Sequence, residues 1–231
     1  MGIKDFSFAR PLTSYTKVQS VVSVVRRNRR WQTARAGVID KHYLNVGCGP
    51  NTHREFINLE YNWLPGIDLC WDLTKGLPLE DRSMTGIFSE HCLEHFSLPT
   101  ARLVVDDLFR VLRPGGTIRI VVPDAGMYLD TYQRQARGDD GVVFPFQVVV
   151  RAKTKLVAPM VSVNEIFYTD RDSPAGHRCM FDYSLLSEIL YLAGFCDVNR
   201  CCFGEGRDPM LLIDTPSRRI ESMYVEAGRP T

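Results

Sequence analysis

The sequence predicts an α/β protein built on a doubly wound, mostly parallel sheet, with an N-terminal helical extension and a cap inserted after the fifth strand. Three observations carry this. Short apolar runs recur between turn signals through residues 42–124, one amphipathic helix stands between the last two of those runs, and the first run ends on a glycine pair. In order, residues 1–40 form a basic extension, residues 41–216 the α/β domain with its cap at about 125–175, and residues 217–231 a C-terminal tail.

Residues 14–31 place Tyr15, Val18, Val22 and Val25 at helical spacing, ahead of a run of arginines. "HYLNV" (42–46) reads as a buried strand broken by Gly47 and Gly49; "EFINLE" follows as a second strand ending at Glu60. "GIDLCWDL" is a third, ending near Asp72, and "MTGIFSE" a fourth. From Pro99 to Arg113, Ala101, Val104, Val105, Leu108, Val111 and Leu112 form an apolar face; Pro99 suits the first turn and "RPGG" stops the helix. "GTIRIVVPD" is the fifth strand, and residues 125–175 lie outside the sheet. A helix then runs from an N-cap at Asp182 to a stop at Gly194, and "FCDVNRCCF" and "PMLLIDT" finish the sheet, with an antiparallel strand among them.

Composition narrows the function. The 231 residues carry a formal net charge of +1, so no overall pull toward nucleic acid is expected. The positive charge is concentrated in residues 1–35, which hold eight Lys or Arg against the single acid Asp5. Seven scattered cysteines with no C-x-x-C pair suit a reducing cytosol. With no signal peptide and no long apolar run, the protein is expected to be cytoplasmic, with the N-terminal segment able to touch an anionic membrane from its inner face.

Ligands of an open parallel sheet lie across the carboxyl ends of its strands. Those ends read Gly47, Glu60, Asp72, Glu90 and Asp124, an acidic edge better suited to hydroxyls, amines and positive charge than to pyrophosphate. The glycine turn agrees. Gly47-Cys48-Gly49 lacks the third glycine of a dinucleotide fingerprint, and Glu60 follows Gly47 by thirteen residues rather than by ~20.

These residues resemble the class I S-adenosylmethionine-dependent methyltransferases. "LNVGCGP" looks like their first motif, Glu60 like the acid that binds the ribose hydroxyls, and Asp72 with Leu73 like the pair at the adenine edge. "FSEHCLEHF" looks like the segment after the fourth strand and "VLRPGGTIRIVVPD" like the helix-to-fifth-strand signature. The resemblance implies a Rossmann-like methyltransferase fold, S-adenosyl-L-methionine as cofactor, and Gly47, Cys48, Gly49, Glu60, Asp72, Leu73, Ser89 and Glu90 as its binding residues. The shortened first helix and "GHRCMFDYSLLSEILYLAGF" resemble a subgroup associated with bacterial surface-polysaccharide synthesis, which implies O-methylation of a sugar, a glycan intermediate or another small molecule. Such an acceptor needs a base, and His177 and His91 are the candidates.

Rival readings are a catalytically silent S-adenosylmethionine-binding subunit and a zinc hydrolase, since "HCLEH" spells H-x-x-E-H. That motif follows a strand instead of lying within a long helix, so no metal is expected. Amino-methylation of nucleic acid is disfavoured, because Ser89-Glu90-His91 stands where a [DN]-P-P-[YF] stretch would be. The oligomeric state stays open.

Overall fold

A computed structural model describes residues 17–139, 141–168 and 176–231. Its seven strands are β1 (Tyr43–Val46), β2 (Phe56–Glu60), β3 (Leu69–Cys70), β4 (Met84–Glu90), β5 (Leu112–Pro123), β6 (Cys196–Cys201) and β7 (Ser222–Gly228), in the spatial order β3-β2-β1-β4-β5-β7-β6. All pairs are parallel except those that β7 makes with β5 and β6. The order reverses between β1 and β4, which places the ligand edge at the carboxyl ends of those strands.

One sheet face is covered by α3 (Leu98–Val111) and α7 (Tyr183–Ala193). Leu44, Ile87, Ile118 and Ile120 pack there with Val104, Leu108, Leu186 and Leu190 in one continuous core. The expected caps hold: the Asp182 carboxylate accepts from Leu185 N at 2.8 Å, and Gly194 ends α7 in the left-handed region.

The opposite face answers what replaces the missing first helix. Only residues 47–55 join β1 to β2, and they form turns. "PMLLIDT", expected as a strand, instead contributes a single 3-10 turn (Pro209–Leu211) and lies across that face. Leu211 is fully buried against Phe56, Phe88, Val121 and Tyr224. Arg119 on β5 holds the segment. Its guanidinium donates to Asp214 (2.7 and 2.6 Å), to Glu226 (3.0 Å) and to the carbonyls of Cys202 and Glu205 (3.0 and 2.9 Å).

The closing strand is therefore Ser222–Gly228, within the stretch expected as a tail. The reason is burial: Met223, Val225 and Ala227 point into the main core, whereas Pro209 and the turn at Asp208 break up the earlier segment. β5 also begins earlier than expected, running through "RPGG" from Leu112.

Among the described residues the cap contains three helices, α4 (Ala125–Ala136), α5 (Gln147–Thr154) and α6 (Pro159–Phe167), with a small core that includes Tyr128, Phe144, Val163, Ile166 and Phe167. The expected single N-terminal helix is two, α1 (Lys17–Arg26) and α2 (Arg29–Ala36), because Asn28 caps the second. Tyr15 lies outside the described residues. α1 docks through Ser23 and its terminal arginines: Ser23 Oγ accepts from Trp63 N at 2.8 Å, Arg26 stacks on Trp63, and Arg27 stacks on Tyr61 while donating to its carbonyl at 2.6 Å.

Candidate active site

The glycine turn sits at the end of β1, where the amides of Gly47 and Cys48 both donate to the Leu59 carbonyl (2.9 and 3.1 Å). Gly47 and Gly49 both have positive φ, +65° and +51°, which favours glycine. Their surroundings differ. A Cβ at Gly47 would collide with Cys92 Sγ and Cβ, whereas one at Gly49 would meet nothing within 4 Å. Gly47 is thus required by packing against the loop after β4, and a Cβ at Gly49 would face open space. Cys48 is buried, and burial raises its thiol pKa, so it acts as a small neutral side chain.

Glu60 ends β2 opposite that turn. Its Oε2 accepts from Gly49 N at 3.0 Å and its Oε1 from Asn62 N at 3.1 Å. Burial raises its pKa, opposed by those two amides. Asp72 N-caps a 3-10 turn over Leu73–Lys75, accepting from Thr74 N and Oγ1 (3.1 and 2.7 Å), with Leu73 buried beside it. Asp68, the other acid near the end of the third strand, is engaged by Lys41 Nζ (2.8 Å) and by the Asn58 amide and side chain (2.9 and 3.2 Å).

At the end of β4, Ser89 is buried and Glu90 reaches across the edge: its carboxylate accepts from Thr215 N at 2.9 Å and from Thr215 Oγ1. Asn51 Nδ2 donates to the same hydroxyl at 3.2 Å, so the glycine turn, β4 and the covering segment meet at Thr215. Sequence reasoning missed Thr215 entirely; it lies far along the chain at the end of the misread strand.

Beyond Glu90 lies a cluster of three histidines around Glu94. His91 has φ +49°; its Nε2 is 2.7 Å from Ser222 Oγ and its Nδ1 is 3.4 Å from Glu94 Oε1. His177 Nε2 is 3.9 Å from the same oxygen, and the His95 and His177 rings meet edge-on with centroids 5.1 Å apart. His95 Nδ1 is 3.4 Å from the Gly176 carbonyl. Both Glu94 oxygens are buried, and among the described residues neither has a hydrogen-bond partner.

Burial dominates the electrostatics here. It pushes the Glu94 carboxyl up to about 8 and holds the His177 imidazole down at about 4; His91 and His95 are lowered for the same reason. Arg218, bonded to Glu221 at 2.9 Å, adds positive potential that further disfavours imidazolium. The two catalytic candidates, His91 and His177, are thus brought together. They flank one carboxylate, Glu94, the acid of the "HCLEH" run.

Residues 61–120 match a family described as "Methyltransferase domain", a stretch that begins just after Glu60 and runs through β4 and α3 into β5. No curated protein matches the chain. Among solved structures, the chain is similar to a SAM dependent methyltransferase from Archaeoglobus fulgidus at 16% identity and TM-score 0.48, covering 91% of this chain and 94% of that one. It is also similar to Burkholderia thailandensis 1,6-didemethyltoxoflavin-N1-methyltransferase, solved with 1,6-didemethyltoxoflavin and S-adenosylhomocysteine, at 12% identity and TM-score 0.47, covering 99% and 85%. A possible histamine N-methyltransferase from Thermotoga maritima stands at 13% and 0.47, covering 95% and 96%. The matched stretch is a methyltransferase domain, and the seven-stranded sheet that carries it has the doubly wound, Rossmann-like order expected.

Proposed function

We propose that the enzyme O-methylates a sugar, a glycan intermediate or another small molecule, with the histidine cluster beside the carboxyl end of β4 serving the acceptor. The observation that supports this is the partly buried imidazole of His177, held neutral by desolvation, 3.9 Å from Glu94 and next to the edge where Glu90 ends β4. S-adenosylmethionine supplies a methyl carbon on a positively charged sulfur, open to in-line attack by an oxygen lone pair.

In this reading Gly49 leaves room for the cofactor, Gly47 and Cys48 shape the turn, and Glu60 accepts from the ribose hydroxyls with Oε1 and Oε2. Asp72 and Leu73 flank the adenine, and Ser89 and Glu90 line the methyl end. Acidic groups belong at the ribose and amino ends, because negative charge close to the sulfonium stabilises the ground state that the reaction must leave. His177 takes the acceptor's proton on Nε2. Its low basicity is offset where Glu94 has already released its proton to solvent, since a carboxylate within ~4–6 Å favours imidazolium. His91 is the second candidate, already held by Ser222 and Glu94.

The acceptor class is tested by incubating the full chain with S-adenosylmethionine and panels of nucleotide sugars and lipid-linked oligosaccharides, reading S-adenosylhomocysteine. Turnover confined to nitrogen acceptors overturns the O-methylation reading. Cofactor binding without turnover on any panel favours the silent binding subunit.

We also propose a cytoplasmic protein that touches the membrane's inner face through α1 and α2. Val21, Val24, Val25 and Trp31 are exposed there beside Arg29 and Arg30, and all seven cysteines are free thiols. Among the described residues, no helix is long and apolar enough to cross a membrane. Equal binding of full-length and 36–231 protein to anionic vesicles overturns this contact.

A further inference from the structure

We infer that Glu94, His95 and His177 form a binding site for one divalent cation of the zinc type. The H-x-x-E-H spelling alone suggests a metal, and its place after a strand argues against one. The structure brings one ligand atom from each of the three residues within 4.8 Å of the others, although His177 lies more than eighty positions from the H-x-x-E-H run.

Two independent features point to an ion. The first is the Glu94 carboxylate, 1% exposed, with neither oxygen hydrogen-bonded among the described residues. A buried polar group without a partner costs about 1–3 kcal/mol, more when charged, and the imidazole nitrogens His91 Nδ1 and His177 Nε2 stand 3.4 and 3.9 Å from its Oε1. A cation would satisfy it. The second feature is the arrangement of His95. Its Nδ1 faces the Gly176 carbonyl at 3.4 Å, leaving Nε2 as the coordinating atom. A metal-bound histidine is commonly oriented in this way, by donating its other ring N–H to a backbone carbonyl.

The donor set selects the ion. Two imidazoles and one carboxylate suit zinc or a neighbouring transition metal, whereas magnesium and calcium take oxygen donors. Donors at ~2.0–2.2 Å from a tetrahedral ion stand about 3.3–3.6 Å apart. The cluster would therefore tighten on binding, which the unbonded Glu94 side chain permits by rotation. Three protein donors leave a fourth position for water or substrate. An acceptor hydroxyl held there would be more acidic, so the ion takes over the activation that the metal-free His177 supplies. His177 is then a ligand.

The test uses full-length protein stripped with a chelator and titrated with Zn²⁺ by calorimetry and with Co²⁺ by visible absorption. One equivalent should bind, Co²⁺ should show no thiolate charge-transfer band, and a large excess of Mg²⁺ should not compete. Glu94→Gln and His177→Ala should each weaken binding by at least ~100-fold, while His42→Ala, on the surface, should leave it unchanged. Circular dichroism confirms folding of each variant; if Glu94→Gln fails to fold, His95→Ala replaces it. Absence of stoichiometric binding overturns the inference, as does unchanged affinity in folded Glu94 and His177 variants, or a thiolate band. S-adenosylmethionine affinity, measured separately on the metal-free protein, reports on the proposed methyl transfer and not on this site.

Discussion

Glu60 Oε2 accepts a hydrogen bond from the Gly49 amide at 3.0 Å, so the acid at the end of β2 and the glycine turn at the end of β1 form one rigid unit. The carboxylate is aimed before any ligand arrives, because its second oxygen is fixed by Asn62. Such preorganisation lowers the ordering cost of binding. Glu60→Ala removes both the anchor and the acceptor, and charge-assisted bonds are worth roughly 1.5–3 kcal/mol each. The expected result is at least ~10-fold weaker S-adenosylmethionine binding by calorimetry. Tighter binding of NAD than of S-adenosylmethionine by unaltered protein would contradict the role given to Glu60.

The two glycines should separate stability from binding. Gly47→Ala forces a Cβ into Cys92 and strains a left-handed residue, so it should lower the melting temperature. Cys92→Ala in the same chain should recover part of that loss. Gly49→Ala meets no protein atom, so only the ~1–2 kcal/mol of left-handed strain remains. Its larger effect should fall on cofactor affinity. A Gly49 variant with unchanged affinity would place the cofactor elsewhere.

His177 should make the fold sensitive to acid. Its imidazole is held at about 4 in the folded protein, against ~6.5 when unfolded. Between those values the unfolded chain binds a proton that the folded chain does not. The stability it allows is therefore complete above pH ~6.5 and is lost as pH falls toward 4. Glu94, raised to about 8, has the opposite slope, so the informative quantity is a difference. In metal-free protein, the melting temperature of His177→Gln relative to wild type should shift in the variant's favour between pH 7 and 4.5. A pH-independent difference would show that His177 is not held neutral by burial.

For catalysis, His177→Ala should reduce methyl transfer by ~10²–10⁴-fold while cofactor affinity stays within about twofold of wild type. Single-turnover rates together with calorimetry distinguish this from a loop anchor, which would lower the melting temperature and leave the rate largely intact.

Arg119 is fully buried with Asp214 and Glu226. Arg119→Leu leaves both carboxylates without their cation, and breaking a buried pair in this way costs ~3–5 kcal/mol. For a chain of this length, that corresponds to a fall of at least ~6 °C in melting temperature. Thermal denaturation checks it, and Arg119→Lys should lie between, keeping the charge and losing the forked geometry.

Much of this was legible in the sequence because it depends on local chemistry. The glycine pair fixed the end of β1, short apolar runs between turn signals located β2 and β4, and Asp182 with Gly194 bracketed α7. The misreadings share a cause. "PMLLIDT" is as apolar as a strand, but its apolarity serves a sheet face that lacks a helix, and only tertiary context reveals that vacancy. The arginines that follow Val25 carry no local sign of a partner, yet Arg26 and Arg27 are committed to Trp63 and Tyr61 some 35 residues away. His177 was legible as a candidate; its meeting with Glu94 was not, since the cap separates them in sequence.

A helix satisfies its own backbone and can fray one turn at a time. The segment over the β1–β2 face has no such internal ladder. Its shape is imposed from outside: Arg119 donates to carbonyls 202 and 205, Asp214 accepts from Gly204 N, and Glu226 accepts from Arg207 N. Its amides therefore reach solvent together, when the buried charges part, and not piecemeal. The same segment ends at Thr215, which Glu90 grips from the end of β4. Exposure of the sheet's second face and loosening of the ligand edge are consequently one opening event, and a cofactor that rigidifies that edge would slow hydrogen exchange across residues 202–215, far beyond its own footprint.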